Sequence, residues 1–127
     1  MKQYRILVVD DESDVLSVSE RILTRLGYKV IPFTNSKEAL ELYKNLFSQF
    51  DLVITDFRMP SFNGLQLCKE ILKITPNMPV IICSGYASEF GHEEADELGV
   101  KWFIRKPFLK TEFVQLVEKT LGVGHQE

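Results

Sequence analysis

The chain has 127 residues, 45% of them hydrophobic and 26% charged, with 15 lysines and arginines against 18 aspartates and glutamates. This length suits one compact domain with its own core, expected over residues 1–121 with a short tail or linker start at 122–127. The formal charge of −3 and the scattered basic residues give no electrostatic reason to expect nucleic-acid or acidic-membrane binding.

No stretch approaches the ~18 apolar residues of a membrane span, and the opening MKQYRILVVD is too poor in apolar residues for a signal peptide. Cys68 lies in an amphipathic stretch and Cys83 in the apolar run PVIICSG, so both read as small buried hydrophobes. A reduced, cytoplasmic protein is the expectation.

In chain order, short apolar runs alternate with helix-like segments. RILVV, ending at Asp10, is the first predicted strand. Val15, Val18 and Ile22, widened by Leu16, Leu23 and Leu26, form the apolar stripe of a first helix that Gly27 would end. KVIPF follows, and Pro32 lacks a ladder donor, which places this strand at a sheet edge. Asn35 or Ser36 caps a second helix, with Glu38 in its first turn and Ala39, Leu42, Tyr43, Leu46 and Phe47 on one face. LVIT, ending at Asp56, is continuous and β-branched, as a strand buried on both faces should be. A third helix carries Leu65, Cys68, Ile71 and Leu72, and PVIIC leads to Ser84. The segment from Glu89 to Leu98 is acidic and contains Gly91, so a short or mobile helix ending at Gly99 is expected there. WFI ends near Arg105, and Phe113, Leu116, Val117, Thr120 and Leu121 complete a last helix.

Five alternations of strand and helix imply a mostly parallel sheet covered on both faces. Ligands of such sheets bind outside the carboxyl ends of the strands. Asp10, Asp11, Asp56, Ser84 and Lys106 would all gather on that rim. An acid at a strand end commonly just caps the next helix, but five such residues on one rim are a constellation. Two unit charges ~4 Å apart repel by about 4 kcal/mol at an effective dielectric near 20. Lys106 offsets part of that repulsion, and the remainder calls for a hard cation. Carboxylates without nearby His or Cys suit Mg²⁺.

In family order, ILVVDDE at residues 6–12, DLVITDFRMPSFNG at 51–64, PVIICSGYA at 79–87 and FIRKPF at 103–108 closely resemble the response-regulator receiver domain of two-component signalling. The resemblance implies a flavodoxin-like, doubly wound α/β fold with five parallel strands in the order 2-1-3-4-5 and five helices. It implies Asp56 as phosphoacceptor, Asp11 as a direct Mg²⁺ ligand, Asp10 acting mostly through water, and the backbone carbonyl of Arg58 completing the protein's share. Lys106 would pair with a phosphoryl oxygen and hold Asp56 beforehand, while Ser84 would hydrogen-bond the phosphoryl group. Ser84 and Phe103 would form the switch, with phenylalanine standing where many receivers carry tyrosine. The side chains of Arg58 and Tyr86 would modulate phosphoryl lifetime. Met59, Pro60 and Gly64 read as loop geometry.

The implied partners are a sensor histidine kinase or phosphotransfer protein upstream, and a target, output domain or second copy on the face of helix four, strand five and helix five. Such a protein promotes its own phosphorylation and dephosphorylation and turns over no separate substrate. One rival is a Mg²⁺-dependent aspartyl phosphohydrolase, although such enzymes usually space nucleophile and acid two residues apart, unlike the adjacent Asp10 and Asp11. The other is a receiver fold that signals without phosphorylation. Neither a P-loop nor a GxGxxG turn follows the first strand. A stand-alone regulator and a piece of a longer protein both fit the chain.

Overall fold

A computed structural model describes residues 2–85 and 92–123. The strands are β1 (Arg5–Val9), β2 (Lys29–Phe33), β3 (Leu52–Asp56), β4 (Val80–Ser84) and β5 (Trp102–Arg105). Between and after them lie α1 (Ser13–Arg25), α2 (Ser36–Leu46), α3 (Gly64–Ile74), α4 (His92–Leu98) and α5 (Lys110–Leu121). A single turn of 3₁₀ helix, Phe47–Gln49, follows α2.

All strand pairs are parallel, in the order β2-β1-β3-β4-β5. This is the flavodoxin-like arrangement expected from the sequence, with Pro32 on an edge strand as its missing donor requires. The continuous apolar runs fit because side chains alternate between two buried faces. Leu7, Val9, Val53, Val80 and Ile82 pack on one face beneath α2, α3 and α4, against Ala39, Tyr43, Leu67, Ile71 and Ala95. Ile6, Val8, Leu52, Ile54 and Ile81 pack on the other beneath α1 and α5, against Leu16, Leu23, Phe113 and Val117.

The helix stops also follow the sequence. Gly27 and Gly99 adopt φ of +94° and +93°, the left-handed conformation that ends a helix at low cost for glycine. Asn35 rather than Ser36 caps α2, accepting from the Glu38 N–H at 3.0 Å. The expected fourth helix is short, and its anticipated start at Glu89 lies outside the described residues.

One apolar stripe needs correction. In α1 the buried residues are Leu16, Ser19 and Leu23, while Val18 is 50% exposed. Ile22 and Leu26 pack against the same cluster as Leu16 and Leu23, so the expected stripe holds except at its Val18 edge, which turns to solvent.

Candidate functional site

The carboxyl ends of β1, β3 and β4 converge, and backbone pairing continues past the strands at Asp10, Phe57 and Lys106. The Asp10 N–H donates to the Phe33 carbonyl at 3.0 Å, extending the β1–β2 ladder. Beyond Asp56, the Phe57 N–H donates to the Cys83 carbonyl at 2.8 Å. The Lys106 N–H donates to the Ser84 carbonyl at 2.7 Å, carrying β5 pairing one residue further along β4. Backbone ladders are the stiffest positioning a fold offers, so the site sits on rigid elements.

Three acids meet at this rim. Asp10, Asp11 and Asp56 each offer a carboxylate oxygen within 4.8 Å of the others. Asp10 and Asp56 are buried, at 5% and 7% exposure, and Asp11 is exposed. Lys106 Nζ lies 2.8 Å from Asp10 Oδ2 and 3.1 Å from Asp56 Oδ1, with Glu12 Oε1 at 3.5 Å. The other oxygen of Asp10 accepts the Glu12 N–H at 2.9 Å, where the chain turns into α1.

The electrostatic consequence is concentrated on Asp56. Its pKa is raised from 3.8 to about 6, chiefly by burial and next by the Asp10 carboxylate, with Lys106 opposing and Asp11 contributing least. Burial also opposes the charge on Lys106, but the hydrogen bond and charge of Asp10, followed by those of Asp56, hold it above its usual range. Asp10, Asp11 and Asp56 together carry more negative charge than Lys106 can offset, with Glu12 adding to the excess at its exposed edge, and a hard divalent cation would balance it. Burial pushes the Cys83 thiol beside this cluster up to about 12, so it stays protonated and is no nucleophile.

Ser84 ends β4, buried at 8% exposure. Phe103 stands opposite Ile82 in the β4–β5 register and packs with it on the α2–α4 side. Because Ser84 follows Ile82 by two residues, Ser84 and Phe103 are diagonal neighbours on one face of the sheet. Phe103 also borders a groove with Glu112, Gln115, Leu116 and Lys119 of α5. Arg58 is exposed on the loop of residues 57–63 that leaves Asp56. Tyr86 lies outside the described residues.

The structure also contains features that sequence reasoning passed over. Glu12 supplies a further acid beside Lys106, although its position directly after Asp10 and Asp11 was a usable signal. Gly64 is more than loop geometry. A Cβ there would stand 2.3 Å from the Asp56 carbonyl oxygen and 2.9 Å from the Phe57 Cα, so only glycine lets α3 begin against the backbone of the central acid.

An apolar groove of about 620 Å³ adjoins the cluster, lined by Val15, Val18, Pro107, Phe108 and Lys106 among others. The misassigned Val18 is therefore exposed beside the site. Among the described residues no helix is long and apolar enough to cross a membrane.

The chain is similar to known proteins over most of its length. The chain is 40% identical over 116 residues to the chemotaxis protein CheY of Thermotoga maritima, covering 91% of this chain and 95% of that one. A response regulator receiver domain protein from Clostridium thermocellum superposes with a TM-score of 0.87 at 32% identity, over 94% of each chain. CheY of Borrelia burgdorferi, solved in a complex with CheX, BeF₃ and Mg²⁺, gives a TM-score of 0.82 at 28% identity, over 91% of this chain and 87% of that one. Of several longer regulators that it also matches, the chain spans between 19% and 50% of their length. Residues 6–118 match the response regulator receiver domain family, and the chain belongs to that family of two-component signalling domains.

Proposed function

We propose that the chain accepts a phosphoryl group on Asp56 in a Mg²⁺-dependent reaction and signals by reshaping the face of α4, β5 and α5. The observation that carries this reading is the buried, under-compensated Asp56, 3.1 Å from Lys106 and grouped with Asp10 and Asp11.

Asp11, Asp56 and the Arg58 carbonyl are the residues that would hold Mg²⁺ directly. Asp10, with one oxygen on Lys106 and the other on the Glu12 N–H, is better suited to act through water. Bound there, Mg²⁺ supplies positive charge against the phosphoryl oxygens and keeps Asp56 ionised.

The remaining work belongs to side chains. The Asp56 carboxylate attacks phosphorus, an acyl phosphate forms, and the donor's leaving group departs. Phosphoryl transfer has a loose transition state, so positioning and charge stabilisation dominate. Lys106, already paired with Asp56 and almost always protonated, is placed to follow the phosphoryl oxygens. Ser84 then donates its hydroxyl to the phosphoryl group, and Phe103, its diagonal neighbour, moves into the space it leaves. Without a tyrosine hydroxyl at this position, packing alone drives that movement. The groove between α1 and the β5–α5 connection adjoins Lys106 and exposes Val18, which suits docking of a histidine kinase or phosphotransfer protein as donor. The surface beside Phe103 suits a downstream target or a second copy. CheX on the Borrelia burgdorferi CheY is a protein partner of a related receiver. The Arg58 and Tyr86 side chains set the lifetime of the acyl phosphate. A cytoplasmic setting accords with buried, unpaired thiols at Cys68 and Cys83.

Intact mass after incubation with acetyl phosphate and Mg²⁺ tests the proposal. Wild type gains one phosphoryl group only when Mg²⁺ is present, and Asp56→Asn gains none. A folded wild type that stays unmodified with two different small phosphodonors would point to signalling without phosphorylation. Steady release of phosphate from phosphomonoesters would favour the hydrolase reading.

A further inference from the structure

The loop that leaves Asp56 has a tether outside the acidic cluster. Ser36, at the start of α2, is 5% exposed, and its hydroxyl donates to the Phe62 carbonyl at 2.6 Å. Asn35 already caps α2, so the Ser36 hydroxyl is not needed for the helix start. Other bonds hold the two ends of the loop. The Phe57 N–H donates to Cys83 at one end, and the Gly64 N–H donates to the Phe57 carbonyl at the other. The Asn63–Gln66 capping box fixes the start of α3. Ser36 acts between those ends. A cleft of about 260 Å³ separates residues 34–37 from residues 59–61, with Asp11 on its lining, and the Ser36–Phe62 bond ties together the two segments that wall it.

Building on the functional reading above, we propose that Ser36 is a positioning residue that sets the β3–α3 loop, and with it the Arg58 carbonyl, at the distance from Asp11 that a divalent cation requires. A backbone carbonyl has no rotamer of its own, so its place is set entirely by the loop that carries it. Mg²⁺ tolerates little departure from octahedral geometry, which makes loop position an affinity term. Groups that orient metal ligands from behind are typically worth a factor of about 10 to 100 in affinity.

A natural control lies at the other end of the same helix. The Tyr43 hydroxyl, also buried, donates to Thr75 Oγ1 at 2.6 Å, tying α2 to the end of α3 far from the loop. The two hydroxyl bonds are alike in length and burial and differ in what they hold.

The test is calorimetric titration of Mg²⁺ into wild type, Ser36→Ala, Ser36→Thr and Tyr43→Phe, with amide exchange of the loop read alongside. Ser36→Ala is expected to bind Mg²⁺ about tenfold more weakly and to exchange faster at residues 58–62, while Ser36→Thr keeps the hydroxyl and the affinity. Tyr43→Phe is expected to lose stability and retain wild-type affinity. Should Ser36→Ala not fold, Ser36→Cys, similar in size but a weak donor, is expected to show the same loss. Unchanged Mg²⁺ affinity in Ser36→Ala, or in Ser36→Cys where that variant replaces it, would overturn the proposal alone, as would an equal loss in Tyr43→Phe. A wild type that binds no Mg²⁺ would overturn the functional reading, and this proposal with it.

Discussion

Asp51 precedes β3 and Asp56 closes it, so one strand carries an acid at each end of the sheet. At the amino end, Asp51 Oδ1 pairs with Lys2 Nζ at 2.8 Å and Oδ2 accepts the Arg5 N–H at 2.9 Å. Each oxygen has a donor, and the hydrogen bond to Asp51, followed by its charge, holds the Lys2 ammonium above its usual range. At the carboxyl end, Asp56 is buried beside Asp10 and shares a single lysine with it. The same residue type beside the same strand is structural where each of its oxygens has its own donor. It is chemically poised where burial and a like charge leave it under-compensated.

The two ends of β3 differ most in phosphoryl uptake. Asp56→Asn is expected to lose the Mg²⁺-dependent adduct completely, while Asp51→Asn retains the wild-type yield by intact mass.

The two ends also differ in how stability depends on pH. The folded-state pKa of Asp56, about 6, lies above its ordinary 3.8, so the protonated form favours the fold. That contribution is fully present below about 3.8 and is lost as pH rises through about 6. A shift of about two units corresponds to roughly 3 kcal/mol between those limits. Urea unfolding of metal-free protein is expected to show this decline in wild type and Asp51→Asn. It should be absent from Asp56→Asn, which is then the more stable protein near neutral pH. Excess Mg²⁺ should flatten the wild-type curve by favouring the ionised form. Parallel curves for wild type and Asp56→Asn would show that the Asp56 end carries no such strain.

Backbone approach gives a smaller effect. Gly64→Ala forces a Cβ against the Asp56 carbonyl and is expected to cost about 2 kcal/mol in urea unfolding and to weaken Mg²⁺ binding. The least effect belongs to the amino end. Lys2→Ala removes an exposed, salt-screened partner and is expected to leave both the urea midpoint and phosphoryl uptake unchanged.

Much of this could be read before folding was considered. The alternation of β-branched runs with amphipathic segments states a parallel sheet, because periodicity is a local property of consecutive residues. Pro32 marks an edge, Gly27 and Gly99 mark helix stops, and Asp10, Asp11, Asp56, Ser84 and Lys106 fall at the ends of successive strands for the same reason. How far the buried side of α1 extends was not legible. Val18 continues the apolar spacing of Val15 and Ile22, and only the sheet's position leaves it exposed while Leu16 and Leu23 are buried.

What the sequence alone determined, therefore, is the order and kind of the elements and the chemical inventory at their ends. Tertiary structure decided how that inventory is balanced. Lys106 reaches Asp10 across 96 residues, Ser36 reaches Phe62 across 26, and Gly64 lies against Asp56. The raised pKa of Asp56 follows from burial and from neighbours brought by other strands. Propensity and periodicity act over a few residues, whereas charge compensation and desolvation depend on what the whole chain packs around a group.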